Sequence, residues 1–117
     1  MSELKVTPDK YLPFRYAGAS GDFNPIHLDP ELAKAVGFPS NILHGLWSMA
    51  QVARAAVEAG GGDPRKLKRL SVQFRGIGLP EEEIVVTVTD KGDGVLELVA
   101  RQGDRAIVKN AEAELAG

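Results

Sequence analysis

Residues Gly60 to Pro64 read G-G-G-D-P, and the hydrophobic period of the chain differs on the two sides of that break. Before it, Ile42 to Ala59 has a helical pattern. Gln51, Arg54 and Glu58 fall within about 60° of one another on a wheel of 3.6 residues per turn, with Ser48 at the edge of their stripe. Nearly every other position is Leu, Ile, Val, Met, Trp, Ala or Gly. The pattern predicts a long helix buried over most of its circumference, capped by Ser40 or Asn41. After the break the period is two. Leu70, Val72 and Phe74 alternate with polar residues, Ile84, Val86 and Val88 form a second run, and Leu96, Leu98 and Ala100 a third. Lys91-Gly92-Asp93-Gly94 and Gly103-Asp104 are turn sequences, the latter leading into Ala106 to Leu115. Four consecutive strands on short turns predict an antiparallel meander, and one apolar sheet face with one apolar helix predicts an α+β fold in which the sheet curls around the helix.

The chain ahead of that helix is less regular. Within Met1 to Arg15, Val6-Thr7 reads as the close of a short strand, and Pro8 and Pro13 interrupt any long helix. Tyr16 to His27 reads as a glycine-bearing loop, because Gly18 and Gly21 permit positive φ and Pro25 pushes Asn24 out of the helical region. A short helix follows, with Asp29 as N-cap, Pro30 in the first position, Glu31 complementing the dipole and Gly37 as the stop.

With 117 residues the chain predicts one domain spanning 1–117. Fourteen Lys and Arg against sixteen Asp and Glu leave a formal net charge of −2, which gives no electrostatic reason to bind nucleic acid. The absence of cysteine excludes disulfides, thiolate catalysis and cysteine-held metals. The opening MSELKVTPDKY lacks the apolar core of a secretory signal, and Ser48, Gln51, Arg54 and Glu58 argue against a membrane span. The expected location is cytoplasmic.

Both histidines, and most of the side chains able to do chemistry, lie between Tyr16 and Leu46. Each has an ordinary reading: Asp22 or Asn24 in an Asx-turn, Asp29 as a cap, His27 as a structural histidine, His44 bonded to a backbone carbonyl. A metal site of Asp22, His27 and His44 suits zinc or iron by ligand type. No ligand spacing supports it, so neither a metal nor a cofactor is expected. Together the residues say more. A carboxylate and an imidazole five residues apart can hold one water between them, and imidazole transfers protons near neutrality. His44-Gly45 opens the long helix, where unpaired N–H groups favour negative charge. Such equipment suits addition or removal of water across a carbonyl-conjugated double bond, and equally other acid–base chemistry.

The run Y-A-G-A-S-G-D-F-N-P-I-H-L-D-P-E-L-A resembles the signature of the MaoC-like, (R)-specific enoyl-thioester hydratases, and I-L-H-G-L resembles their second motif. The resemblance covers Tyr16 to Leu46 and implies the hot-dog fold, a long helix wrapped by an antiparallel sheet. It implies (R)-specific hydration of trans-2-enoyl thioesters, or the reverse dehydration, in fatty-acid metabolism. The implied catalytic dyad is Asp22 and His27, with Asn24 supporting the loop and Gly45 N–H binding the thioester carbonyl. Acyl-CoA or acyl-carrier-protein thioesters are the implied substrates. A homodimer with a shared cleft is implied, a heterodimer being the variant of that arrangement. The chain departs from the family pattern in three respects: 15 residues precede Tyr16, Pro13 stands where a helix should run, and R-G-I-G-L-P-E-E-E-I follows Phe74 in place of a proline-glycine turn. Two alternatives belong to other classes: a non-catalytic hot-dog subunit, which would lack the Asp or the His, and a thioesterase, for which Glu58 is the available helix carboxylate. Trp47, two residues after Gly45, is a candidate wall of the acyl cavity as well as a core residue. Arg65, Lys66, Lys68 and Arg69 form either a solvated loop or a hold on coenzyme A phosphates or an acidic carrier.

Overall fold

The computed structural model describes residues 2–116. Strand β1 (Ser2–Val6) is followed by helices α1 (Leu12–Ser20), α2 (Pro25–Leu28), α3 (Pro30–Ala35) and α4 (Gly45–Ala59), a 3₁₀ turn at Pro64–Lys66, and strands β2 (Leu67–Phe74), β3 (Ile84–Gly92), β4 (Val95–Gln102) and β5 (Arg105–Leu115). The five strands form one antiparallel sheet in the order β1-β3-β4-β5-β2. Helix α4 packs on its apolar face, and this is the hot-dog fold.

The core follows the two periods. From α4, Ser48, Val52, Ala55 and Ala56 are buried, one position per turn plus a neighbour. They meet Val86 and Val88 of β3, Leu96, Leu98 and Ala100 of β4, and Val108, Ala111 and Ala113 of β5. In β5 the inward set shifts from Val108 to Ala111 across a bulge at Lys109–Asn110, where Asn110 takes φ 51° and donates from its amide to Gln73. Such a bulge adds twist locally. The β3–β4 turn has positive φ at both Asp93 and Gly94, as a tight hairpin requires.

Several expectations are corrected. The meander has three strands, β3-β4-β5, and β2 pairs with β5 on the far edge instead of with β3. Residues 75–83 cannot make a tight turn, so they cross the end of the sheet. Arg75 N–H donates to the Ile107 carbonyl, and the buried Gln102 side chain bonds the N–H and C=O of Leu79 and the carbonyl of Glu82. The long helix starts at Gly45, not Ile42, and its N-cap is His44 with ψ 135°, not Ser40 or Asn41. The N–H groups of Ile42 and Leu43 are taken by the carbonyls of Ile26 and Gly78, which holds that segment extended. Nor is α4 buried most of the way round within this chain, since the sheet covers one side only and Leu46 stays 64% exposed.

Much of the expected loop is helix. Pro13 lies in the first turn of α1, where a missing N–H costs nothing. Helix α1 therefore runs where that proline seemed to forbid it and carries Tyr16 and Gly18 within it. Only Gly21 to Asn24 is irregular, because Gly21 closes α1 in the left-handed region at φ 81°. At the other end, Asp9 accepts from Tyr11 N–H and pairs with Arg15 at 2.7 Å. The Arg15 guanidinium, then the Tyr11 amide, hold its carboxyl below the usual value of 3.8. The support this contact lends is complete above that value and fades as pH falls through the lower folded one. Strand β1 lies where only the end of a short strand was expected, paired with β3.

The short helix α3 has the expected ends: the Asp29 carboxylate accepts from Glu31 and Leu32 N–H, and Gly37 has φ 105°. Asp29→Ala should cost about 1 kcal/mol in urea unfolding and Asp29→Asn much less, since both Asp and Asn cap well.

Candidate active site

Three elements meet around the two histidines. Gly21 turns the chain out of α1 and delivers Asp22. Asn24, held extended ahead of Pro25, caps α2 by accepting from Ile26 N–H at 3.1 Å. Its own N–H donates to Asp22 Oδ1 at 3.2 Å, which leaves Oδ2 free to face inward. One turn of α2 later, His27 Nε2 lies 3.6 Å from Asp22 Oδ2, with the histidine side chain 9% exposed and the aspartate 53%. That distance exceeds a hydrogen bond. The two groups face each other across a gap open to solvent on the Asp22 side.

Backbone carbonyls fix both tautomers, because a carbonyl can only accept. His27 Nδ1–H donates to Ile42 O at 2.9 Å, so in the neutral ring Nε2 carries the lone pair towards Asp22. His44 Nε2–H donates to the backbone carbonyl of Asp22 at 3.0 Å. The two imidazoles are stacked, with centroids 3.9 Å apart and planes 18° from parallel, and the Tyr16 ring tilts against His44 at 4.8 Å. Asn41 completes the support by donating from its side chain to the His27 carbonyl at 2.9 Å.

Asp22, His27 and His44 each offer an atom within 4.8 Å of the others. The imidazoles are stacked, with one nitrogen of each bonded to a backbone carbonyl.

Behind His27 opens a mostly apolar cavity of about 170 Å³, walled by Ile42, Leu43, Gly45, Ser48, Phe74 and the crossing segment at Gly76 to Gly78. Gly45 is the first residue of α4, so its N–H has no intrahelical acceptor. A β-carbon at Gly45 would touch the Phe74 ring at 3.4 Å, and one at Gly78 would meet Leu43 at 2.9 Å. The lack of side chains there keeps the cavity open.

Of the residues singled out in the sequence, His27 and Gly45 line this cavity, and Asp22 faces His27 from the solvent side. Asn24 is beside them as the cap of α2. Trp47 is not in the lining; two residues past Gly45 means about 200° around the helix, and it packs against the core instead. Ser48, one turn beyond Gly45 and buried, lines the cavity, and so does Phe74. Its place in the β2 alternation had marked Phe74 only as a sheet residue. The role of Asn41 was missed; His44 does bond a backbone carbonyl as expected, that of Asp22, which the sequence did not single out. In the basic stretch, Arg65 pairs with Asp63, and Arg69 pairs with Glu112 and Glu114, so two of the four cations are already engaged.

An antiparallel sheet packed on a central helix, with a carboxylate and an imidazole at the helix's N-terminal end, defines a class of hot-dog proteins. The MaoC like domain model matches residues 1–111, and the chain belongs to that family. It is 33% identical over 115 residues to the peroxisomal hydratase-dehydrogenase-epimerase of Neurospora crassa, covering 97% of this chain and 12% of that protein. It is 36% identical over 107 residues to an enoyl-CoA hydratase of Mycobacterium tuberculosis, covering 90% of this chain and 36% of that one. Among solved structures, a MaoC-like dehydratase from Phytophthora capsici superposes with a TM-score of 0.91 at 33% identity, over 98% of this chain and 41% of the other. The chain thus spans between about one-eighth and two-fifths of the length of these relatives.

Trp47→Ala should lower stability by about 3 kcal/mol, the low end for a tryptophan truncation because the ring is only partly buried. Urea unfolding measures this. Any loss of activity should be equal on short and long acyl chains, which a substrate series would check.

Proposed function

We propose that this chain hydrates trans-2-enoyl thioesters to (R)-3-hydroxyacyl thioesters and catalyses the reverse dehydration. The observation that carries this is Asp22 Oδ2 facing His27 Nε2 at 3.6 Å, with His27 and Gly45, the first residue of α4, both in the cavity wall. With Nε2 unprotonated, both facing atoms are acceptors. One water can donate a hydrogen to each, at about 2.8 Å, and direct an oxygen lone pair into the cavity. That oxygen bonds to C3 as the dyad takes one of the water's protons, and the dyad then passes that proton to C2. The atoms of one water are then added across the double bond. Negative charge gathers meanwhile on the thioester oxygen, where Gly45 N–H and the α4 dipole stabilise it without reorganisation. The (R) configuration is part of this proposal, taken from the likeness to the MaoC-like hydratases. An acyl-CoA is the substrate most in keeping with the relatives named as enoyl-CoA hydratases.

The other readings have less support. A non-catalytic subunit has no use for an intact dyad. A thioesterase would need a carboxylate near the start of α4, whereas Glu58 lies 13 residues along, about 20 Å, and is paired with Arg54. Crotonyl-CoA separates them: loss of enoyl absorbance marks hydration, and release of free thiol marks hydrolysis.

We also infer a dimer. Strands β1 and β2 are sheet edges, and Leu46 and Phe74 leave apolar surface beside the cavity exposed. A two-fold partner joined along the β2 edge would cover Phe74 and wall the acyl site. Sedimentation should give a dimer, and a fully active monomer would refute this.

Asp22→Asn and His27→Ala should each lower kcat by about 10²–10⁴, the usual size of an acid–base contribution. The double variant should be scarcely worse than the worse single one, because both groups act on one water. Folded variants with near-normal turnover would sink the mechanism.

A further inference from the structure

We propose that His44 is a positioning residue that sets Asp22 against His27 through its Nε2–H bond to the Asp22 carbonyl. This rests on the hydration reading above. His44 is 3% exposed, and its Nε2–H is bonded to the Asp22 backbone carbonyl, so it acts on the site through its neighbours. Its side chain does not cap α4, although it stands at the N-cap position. Its bonding is spent on Asp22 instead.

The need for such a residue is visible in the loop. The other hydrogen bonds of Asp22 are local: Oδ1 accepts from Asn24 N–H, and its backbone N–H donates to Ser20 Oγ at 3.2 Å. Those bonds shape the turn without tying it to the rest of the fold. The carbonyl of Asp22 is joined to His44, 22 residues away and rooted between the extended Ile42–Leu43 segment and the first turn of α4. Neighbouring on the same residue are the stacked His27 ring and the Gly45 peptide. One side chain therefore references the carboxylate to the imidazole and to the N–H that would bind the thioester oxygen. Displacement of a reacting group by about 1 Å can cost on the order of 10²-fold in rate.

Two substitutions separate the parts of the imidazole. His44→Phe keeps an aromatic face and removes the donor; His44→Gln offers an amide N–H near the place of Nε2 and removes the ring. On crotonyl-CoA, His44→Phe should lower kcat by about 10–100-fold with KM changed less than about threefold. His44→Gln should recover most of that loss, to within about fivefold of the starting enzyme. Amide hydrogen exchange at Asp22 and Asn24 should quicken in His44→Phe and stay near normal in His44→Gln. A folded His44→Phe with kcat within threefold of the starting enzyme overturns the proposal, and so does a His44→Gln as damaged as His44→Phe. Should His44→Phe fail to fold, imidazole ¹⁵N spectra of the unaltered chain decide: Nε2 of His44 must carry a proton, and a neutral ring protonated only at Nδ1 refutes the bond. Absence of hydratase activity in the unaltered chain would defeat the functional reading, and the exchange and ¹⁵N measurements would still decide whether His44 holds the loop.

Discussion

Ile42 and Leu43 form a strap two residues long on which the geometry of the site depends. Ile42 N–H is bonded to the carbonyl of Ile26, Leu43 N–H to that of Gly78, and the carbonyl of Ile42 receives His27 Nδ1–H. These bonds join α2, the segment crossing the sheet end and the entry to α4. They also decide three local outcomes at once: which nitrogen of His27 faces Asp22, where α4 can begin, and how close the crossing segment comes to the cavity. Hydrogen bonds of this kind contribute about 1 kcal/mol each to stability. Their larger effect here is on geometry, because each is shared between the scaffold and a residue of the site.

The period change at Gly60 made the helix and the strands legible, and the short spacing within Gly21 to His27 made the nearness of Asp22 and His27 legible. Local rules sufficed for the cap at Asp29 and the turn at Asp93-Gly94. What stayed hidden depended on pairing between distant segments. Nothing in the alternation of Leu70, Val72 and Phe74 says that their strand lies beside β5, 40 residues on, instead of beside β3. The start of α4 was read three residues early because Ile42 and Leu43 are apolar and fit the helical wheel, while the carbonyls that hold them extended come from Ile26 and Gly78. Pro13 misled in the opposite sense: a proline that breaks a helix in its interior is harmless in its first turn.

The same distinction applies at the site. Proximity in sequence brought Asp22, Asn24 and His27 together on the page, and proximity in sequence also suggested Trp47 beside Gly45. Helical geometry rejects the second pairing and substitutes Ser48, one turn away. Phe74 and the glycines of the crossing segment arrive from the far edge of the sheet, so no local signal marks them as neighbours of His27. The absence of side-chain volume at Gly45 and Gly78 keeps their shared space open.

The unequal exposure of Asp22 and His27 carries a kinetic consequence for the proposed chemistry. The dyad straddles the boundary between bulk solvent and the apolar interior, with its carboxylate on the wet side. Within this chain, a spent water can be replaced from the solvent face while an acyl chain still fills the cavity behind. Protons held by the pair can equilibrate with buffer by the same route, without any segment having to lift. Under that proposal, the nucleophile would be recharged from the Asp22 side, which is open to solvent.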